Sequence, residues 1–244
     1  MHNPKFIPGK DEKTILIFIH GFLSGPGHFA DLLEVAGKEG FAAASLLLPG
    51  HGGSGQDFFK ATLTDWQQYL QTELKKYRHY EQIFLVGHSI GGLLALMAAI
   101  DESSPISGVV LLAAPLKVYF INPFSLFRKL CILLRSDLRK VYQKACSIKG
   151  LFPWLLLSIR ALCQPHKLMR HTRKILKEVK VPSLLIYSKK DEITHSRSLH
   201  LLTEGLINSR QEIIILNDSL HVFYTLKERR YLSNKILGFI KLNF

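Results

Sequence analysis

The chain has 244 residues, of which 47% are apolar, 10% aromatic and 21% charged; that is material for one large domain with a substantial core, and it excludes a disordered chain. Three cysteines without CxxC spacing, Cys131, Cys146 and Cys163, argue against a disulfide framework or a Cys-based zinc site and fit a reducing compartment. The formal net charge of +13 raises nucleic acid as a partner, but the excess is local: residues 117–180 hold 15 Lys/Arg against 2 Asp/Glu, and the other 180 residues hold 17 of each sign.

The first residues, MHNPKFIPGKDEK, are polar and broken by two prolines, and the apolar run Ile15–Ile19 is too short for a signal core or a membrane span. A cytoplasmic protein is the expectation. In chain order, Thr14–Ile19 reads as a buried strand, 28–39 as a helix, Phe41–Leu48 as a strand and Asp65–His79 as a helix with an N-cap pattern after Leu63-Thr64. Gln82–Val86 reads as a strand, Ile90–Ile100 as a helix of small residues and Ser107–Ala113 as a strand. Pro182–Tyr187 is a further strand, 196–208 a helix, Glu212–Leu216 a strand and 222–241 a closing helix. About six strands alternating with helices predict an α/β fold, a mainly parallel sheet with helices on both faces. The basic segment interrupts that rhythm. Leu126, Leu130, Leu133/Leu134, Leu138 and Val141/Tyr142 fall on one helical stripe. Leu168, Thr172, Ile175/Leu176 and Val179 fall on another, with Lys167, Arg170, Arg173/Lys174 and Lys177 opposite. Residues 116–180 therefore read as a basic helical cap inserted into a core made of 1–115 and 181–244.

Gly87-His88-Ser89-Ile90-Gly91 matches G-x-S-x-G between a predicted strand and a predicted helix. A serine on so sharp a turn is strained, and a Cβ two residues to either side would clash. The turn exposes the hydroxyl and leaves the next N–H at a helix N-terminus. A developing oxyanion needs two converging donors: Ile90 N–H supplies one, and Phe22 N–H, in His20-Gly21-Phe22 after the first strand, is the candidate for the other. If strand order reverses after Leu48, strands 14–19 and 82–86 become neighbours and their carboxyl ends form the ligand crevice of an open α/β sheet. His20 is assigned support of its loop, not proton transfer.

A nucleophilic serine needs a base, and the base an orienting carboxylate. Asp191 and His221 follow the strands 182–187 and 212–216, on the edge that holds Ser89. A lone surface Asp or His is more often merely solvated; three correct types, in the order Ser, Asp, His, at three strand ends are not. Glu192 and Asp218 are the rival acids.

With these motifs in place, the chain resembles the α/β-hydrolases, and within them the small bacterial carboxylesterases and monoacylglycerol lipases. The likeness rests on His20-Gly21-Phe22, Pro49-Gly50-His51-Gly52, Thr64-Asp65-Trp66, Gly87–Gly92 and the loops of Asp191 and His221. It implies Ser89 as nucleophile, Asp191 as acid, His221 as base, and Phe22 and Ile90 as oxyanion donors. Two departures stand out. Leu220 occupies the position before the base where the family has Gly, and the short N-terminal segment leaves no room for the two antiparallel edge strands of larger members.

The expected function is hydrolysis of carboxylic esters, with medium- or long-chain acyl esters such as monoacylglycerols as first guess. That guess rests on the apolar cap, in which Trp154 and Leu155 are the candidate substrate contacts. The alternatives are a thioesterase or acyltransferase on the same triad, or a non-catalytic ligand- or membrane-binding protein of this fold. No cofactor and no metal are expected: His166/His171 and His195/His200, spaced by five, share no helical face and accompany no carboxylate cluster. Gly50–Gly55 reads as a flexible loop near the site mouth. Nucleic acid is disfavoured for want of a recognition motif. The expected partner is a small ester or lipid, with peripheral contact to the anionic inner membrane face through the basic cap as the sharper reading of the charge.

Overall fold

The computed structural model describes residues 3–10, 13–101, 105–119 and 151–243. The stripe Leu126–Tyr142 therefore lies outside the described residues, and of the expected cap only its two ends are described.

In chain order the elements are β1 (Lys5–Ile7), β2 (Thr14–Ile19), α1 (Ala30–Lys38), β3 (Ala42–Ser45), α2 (Gly55–Lys60), α3 (Leu63–Lys76), β4 (Gln82–His88), α4 (Ile90–Ala98) and β5 (Ile106–Leu112). After these come α5 (Leu151–Ile175), β6 (Ser183–Ser188), α6 (Arg197–Gly205), β7 (Gln211–Leu216) and α7 (Leu226–Leu242). Among the described residues the sheet has seven strands in the order β1-β3-β2-β4-β5-β6-β7. All neighbours run parallel except β1, which pairs antiparallel with β3 through Lys5↔Ser45 and Ile7↔Ala43. The short N-terminal segment thus supplies one antiparallel edge strand where none was expected. Three residues give no periodicity to read, and only the open edge of β3 makes them a strand.

The central strands are buried on both faces, as parallel strands covered by helices must be. On one face Ile15, Ile17, Ile19, Leu85, Val109 and Leu111 pack with α3, α4 and the lower part of α5. On the other, Leu16, Phe18, Phe84, Val86 and Val110 pack with α1 and α7. Helix α5 and the 3-10 turn that follows it (Leu176–Glu178) turn Leu168, Thr172 and Leu176 inward and leave Lys167, Arg170, Arg173, Lys174 and Lys177 exposed. Its buried Gln164 accepts the Leu63 N–H at 3.1 Å, filling one of the orphan donors of the α3 N-terminus.

Two local expectations are corrected. Helix α3 is capped by Thr62, not after Leu63-Thr64: Asp65 N–H donates to Thr62 Oγ1 at 3.2 Å and Thr62 N–H to Asp65 Oδ2 at 2.8 Å. This reciprocal box needs its carboxylate three residues on, which Asp65 satisfies from Thr62. The Gly-rich run after Pro49 ends in a short helix, with Ser54 capping α2 in the same way.

Register places the site. Ile19 pairs with Gly87, His88 with Leu112, and Ser188 with Leu216. The carboxyl ends of β2, β4, β5, β6 and β7 finish within three residues of one another in register, so the loops that follow them meet on one edge.

Candidate active site

Ser89 is the N-cap of α4 with φ 54° and ψ −122°, a left-handed conformation that costs a non-glycine residue roughly 1–3 kcal/mol. Its N–H donates to Leu112 O at 2.8 Å. The two glycines are obligatory here. A Cβ on Gly87 would lie 2.4 Å from the backbone of Gly91, and one on Gly91 would lie 2.1 Å from Ile19 O. The helix N-terminus is thus pressed onto the end of β2, which brings the loop after β2 against the turn that carries Ser89. A Cβ on Gly21 would sit 3.1 Å from Ser89 Cβ.

That loop is locked from below by His20. The buried ring donates from Nδ1 to Gly21 O at 2.9 Å and accepts the Leu48 N–H on Nε2 at 3.0 Å. Both ring nitrogens are used for main-chain contacts, so the tautomer is set by the loop. Half-buried Phe22 packs its ring 4.9 Å from that of Phe58 on α2. Ile90 opens α4, and the first N–H groups of a helix have no partner within it.

Asp191 and His221 come together across 30 residues. His221 Nδ1 lies 2.9 Å from Asp191 Oδ2, and both side chains are buried. The other oxygen, Oδ1, accepts the N–H groups of Ile193 and Thr194 at 2.8 and 2.6 Å, so the carboxylate is oriented by its own loop. Thr194 Oγ1 donates to Ala113 O at 3.0 Å and offers its oxygen to His221 Nδ1 at 3.4 Å. The rival acids lie elsewhere. Asp218 is exposed and pairs with Lys190 at 2.8 Å, while Glu192 accepts the main-chain N–H of His221 at 3.0 Å. Trp154 and Leu155 fall on α5, and their side chains lie outside the described residues.

Two further histidines, given no role from the sequence, flank this group. The ring of His88 is 4.9 Å from that of His221, and the ring of His28 is 4.2 Å from that of His88. Burial, with the neighbouring His221 and Arg229, lowers the pKa of His28 to about 4. Burial, reinforced by His28 and His221, holds His88 well below the usual imidazole range. Neutral imidazoles therefore line one side of His221. No local pattern singles out His28; only the packing of its loop on β4 and the His221 loop does so. Thr194 carries a weak sequence signal, since an Asp commonly caps the N–H groups two and three residues after it. A cavity of about 250 Å³ adjoins this side, walled by His28, Leu112 and Val222–Tyr224.

Such an arrangement, a strained serine at a helix N-terminus with a buried His–Asp pair on the same carboxyl edge, belongs to an α/β-hydrolase fold. More closely, the family described as "Hydrolase_4: Serine aminopeptidase, S33" matches residues 10–147, more than half of the chain, and the chain belongs to that family. It is 25% identical over 214 residues to a thermostable monoacylglycerol lipase of Bacillus sp. (strain H-257), covering 85% of this chain and 82% of the relative. It is 40% identical over 110 residues to a 2-succinyl-6-hydroxy-2,4-cyclohexadiene-1-carboxylate synthase of Escherichia coli O17:K52:H18, over 42% of this chain and 39% of that one. Among solved structures, the monoacylglycerol lipase of Paleococcus ferrophilus shares the fold with a TM-score of 0.73 at 16% identity, over 99% of each chain. The chain is a lipase- and esterase-like α/β-hydrolase.

Proposed function

We propose that the chain is a serine carboxylic-ester hydrolase acting on medium- or long-chain acyl esters of the monoacylglycerol type. The observation that carries this reading is the 2.9 Å contact of buried His221 Nδ1 with Asp191 Oδ2 on the edge that holds Ser89. Ser89 Oγ attacks the ester carbonyl carbon while His221 Nε2 takes the hydroxyl proton. The Phe22 and Ile90 N–H groups hold the oxyanion of the tetrahedral intermediate. Its collapse breaks the acyl C–O bond, and His221 returns the proton to the leaving alcohol. Water, deprotonated by His221, then releases the acid and restores Ser89. Asp191 keeps the proton on Nδ1 and stabilises the imidazolium. Residues 116–180 act as a cap over this edge, with Trp154 and Leu155 as acyl contacts. The Bacillus relative's name as a monoacylglycerol lipase supports the head group.

The test is turnover of p-nitrophenyl esters of graded acyl length beside a monoacylglycerol, with fluorophosphonate labelling of wild type and Ser89→Ala. Hydrolysis and labelling are both expected to vanish in the variant; a variant that still labels stoichiometrically places the nucleophile elsewhere. Absence of any ester turnover in the wild type would favour a reaction of the synthase kind.

A second reading concerns the exposed basic stripe Lys167, Arg170, Lys174 and Lys177 of α5 and the turn after it. It would hold the enzyme against anionic lipid, each charge contributing about 1 kcal/mol near such a surface. Co-sedimentation with anionic but not zwitterionic vesicles, reversed by salt and weakened when the four residues are replaced by Gln, is the expected result. Equal binding to both vesicle types rules it out. Among the described residues no helix is long and apolar enough to cross a membrane.

A further inference from the structure

His221 is held by more than its acid. Its main-chain N–H donates to Glu192 Oε2 at 3.0 Å, its main-chain oxygen lies 2.8 Å from His88 Nε2, and its ring Nδ1 lies 2.9 Å from Asp191 Oδ2. The His88 contact is unambiguous in sense. A carbonyl oxygen only accepts, so Nε2 carries the proton and the neutral ring leaves Nδ1 as an acceptor. That Nδ1 is buried and has no hydrogen-bond partner among the described residues.

The neighbours in sequence give the contacts their meaning. His88 immediately precedes Ser89, and Glu192 immediately follows Asp191. The loop they hold departs from the family pattern at Leu220, whose N–H donates to Phe223 O at 2.9 Å. Leu220 is not among the residues with positive φ, which among the described residues and besides glycines are Leu23, Ser89 and Ala113. The loop therefore does not depend on glycine's conformational freedom to present the histidine.

We infer that His88 and Glu192 are positioning residues that grip the main chain of His221 from its two sides, fixing where the imidazole stands between Ser89 and Asp191. This rests on the reading of His221 as the base. The grip links the three loops mechanically: the residue beside the nucleophile and the residue beside the acid each hold the base. An imidazole displaced by 1 Å loses up to about 10²-fold in rate, and the loss falls on kcat because substrate binding is untouched.

The experiment compares Glu192→Ala, Glu192→Gln, His88→Ala and His88→Gln. It measures kcat and KM on a soluble short-chain ester, per active site titrated with a fluorophosphonate, beside the melting temperature. Glu192 is exposed, so its variants fold whatever befalls those of His88. Glu192→Ala is expected to lower kcat about 10-fold with KM within about 2-fold, and Glu192→Gln, which retains an acceptor, to stand near wild type. His88→Ala is expected to lose up to about 10²-fold and His88→Gln, which can donate from its amide, to recover part of it. Wild-type kcat per titrated site in Glu192→Ala, or a loss in Glu192→Gln equal to that in Glu192→Ala, overturns the inference. A purely structural role lowers the melting temperature or the titratable fraction and leaves kcat per site unchanged, which also overturns it. Turnover surviving in Ser89→Ala and Asp191→Asn in the same assay instead defeats the reading of the site on which the inference stands.

Discussion

The Cα of Gly21 faces the ring of His88 so closely that a Cβ on Gly21 would stand 2.8 Å from His88 Nδ1. The loop after β2 and the turn after β4 are thus fitted to each other through a missing methyl group and an imidazole edge. The His88 ring is buried between Gly21, His28 and His221 and has little room to yield.

Gly21→Ala follows directly. The added carbon must displace either the His88 ring or the loop that carries Phe22. We expect destabilisation of about 1–3 kcal/mol by overpacking and a kcat loss approaching 10²-fold from misplacement of the oxyanion donor. Urea midpoints and steady-state kinetics check both, and an unchanged kcat would remove Phe22 N–H from the oxyanion role.

The choice of acid is tested by Asp191→Asn against Asp218→Asn. The N–H groups of Ile193 and Thr194 already occupy one oxygen of Asp191. In the variant they hold the amide oxygen, which turns the NH₂ toward His221 Nδ1 and imposes the wrong tautomer. A loss on the order of 10⁴-fold in kcat is expected. Asp218 is exposed, and its carboxylate pairs with Lys190. Its replacement should change kcat by less than about 2-fold, as surface pairs contribute little. The reverse ranking places the acid at Asp218.

Acid sensitivity is expected from His28. Its pKa is lowered from 6.5 to about 4 in the folded chain by burial, with His221 and Arg229 adding to the effect. The groups facing it are the rings of His88 and Tyr224 and the Arg229–Asp31 pair. Between these two pH values the unfolded chain binds more protons at this site than the folded one, so stability rises with pH. The contribution is fully present above about 6.5 and lost as pH falls toward 4, by about 2 kcal/mol after allowing for partial exposure. Denaturation midpoints taken from pH 7 to 4 should fall less steeply in His28→Gln; identical slopes would refute this assignment.

Gln164→Leu removes the acceptor for the Leu63 N–H and leaves that helix-start donor buried without it. A loss of about 1–3 kcal/mol is expected, read from urea midpoints. Amide exchange at Leu63 should quicken, since α5 no longer seals the start of α3; unaltered exchange would show that the contact does not protect it.

Much of this protein is written locally. Strand–helix alternation and the glycines around Ser89 are short-range signals: each reflects a period, a turn or a backbone angle that nearby residues impose on themselves. Strand order, and with it the shared carboxyl edge, followed from the general behaviour of open α/β sheets. The remainder depended on contacts between distant segments. A three-residue strand such as Lys5–Ile7 exists because β3 offers an unpaired edge. Asp191, Glu192 and Asp218 all offer a carboxylate. Only the packed loops put Asp191 on the imidazole of His221, Glu192 on its backbone and Asp218 in solvent. His88 meets His221 across 133 residues, and His28 joins them through loop packing alone. Burial and hydrogen-bond direction at such contacts are set by the whole fold, so the chemistry types could be read along the chain, while the partners of each were decided only when the sheet brought the loops together.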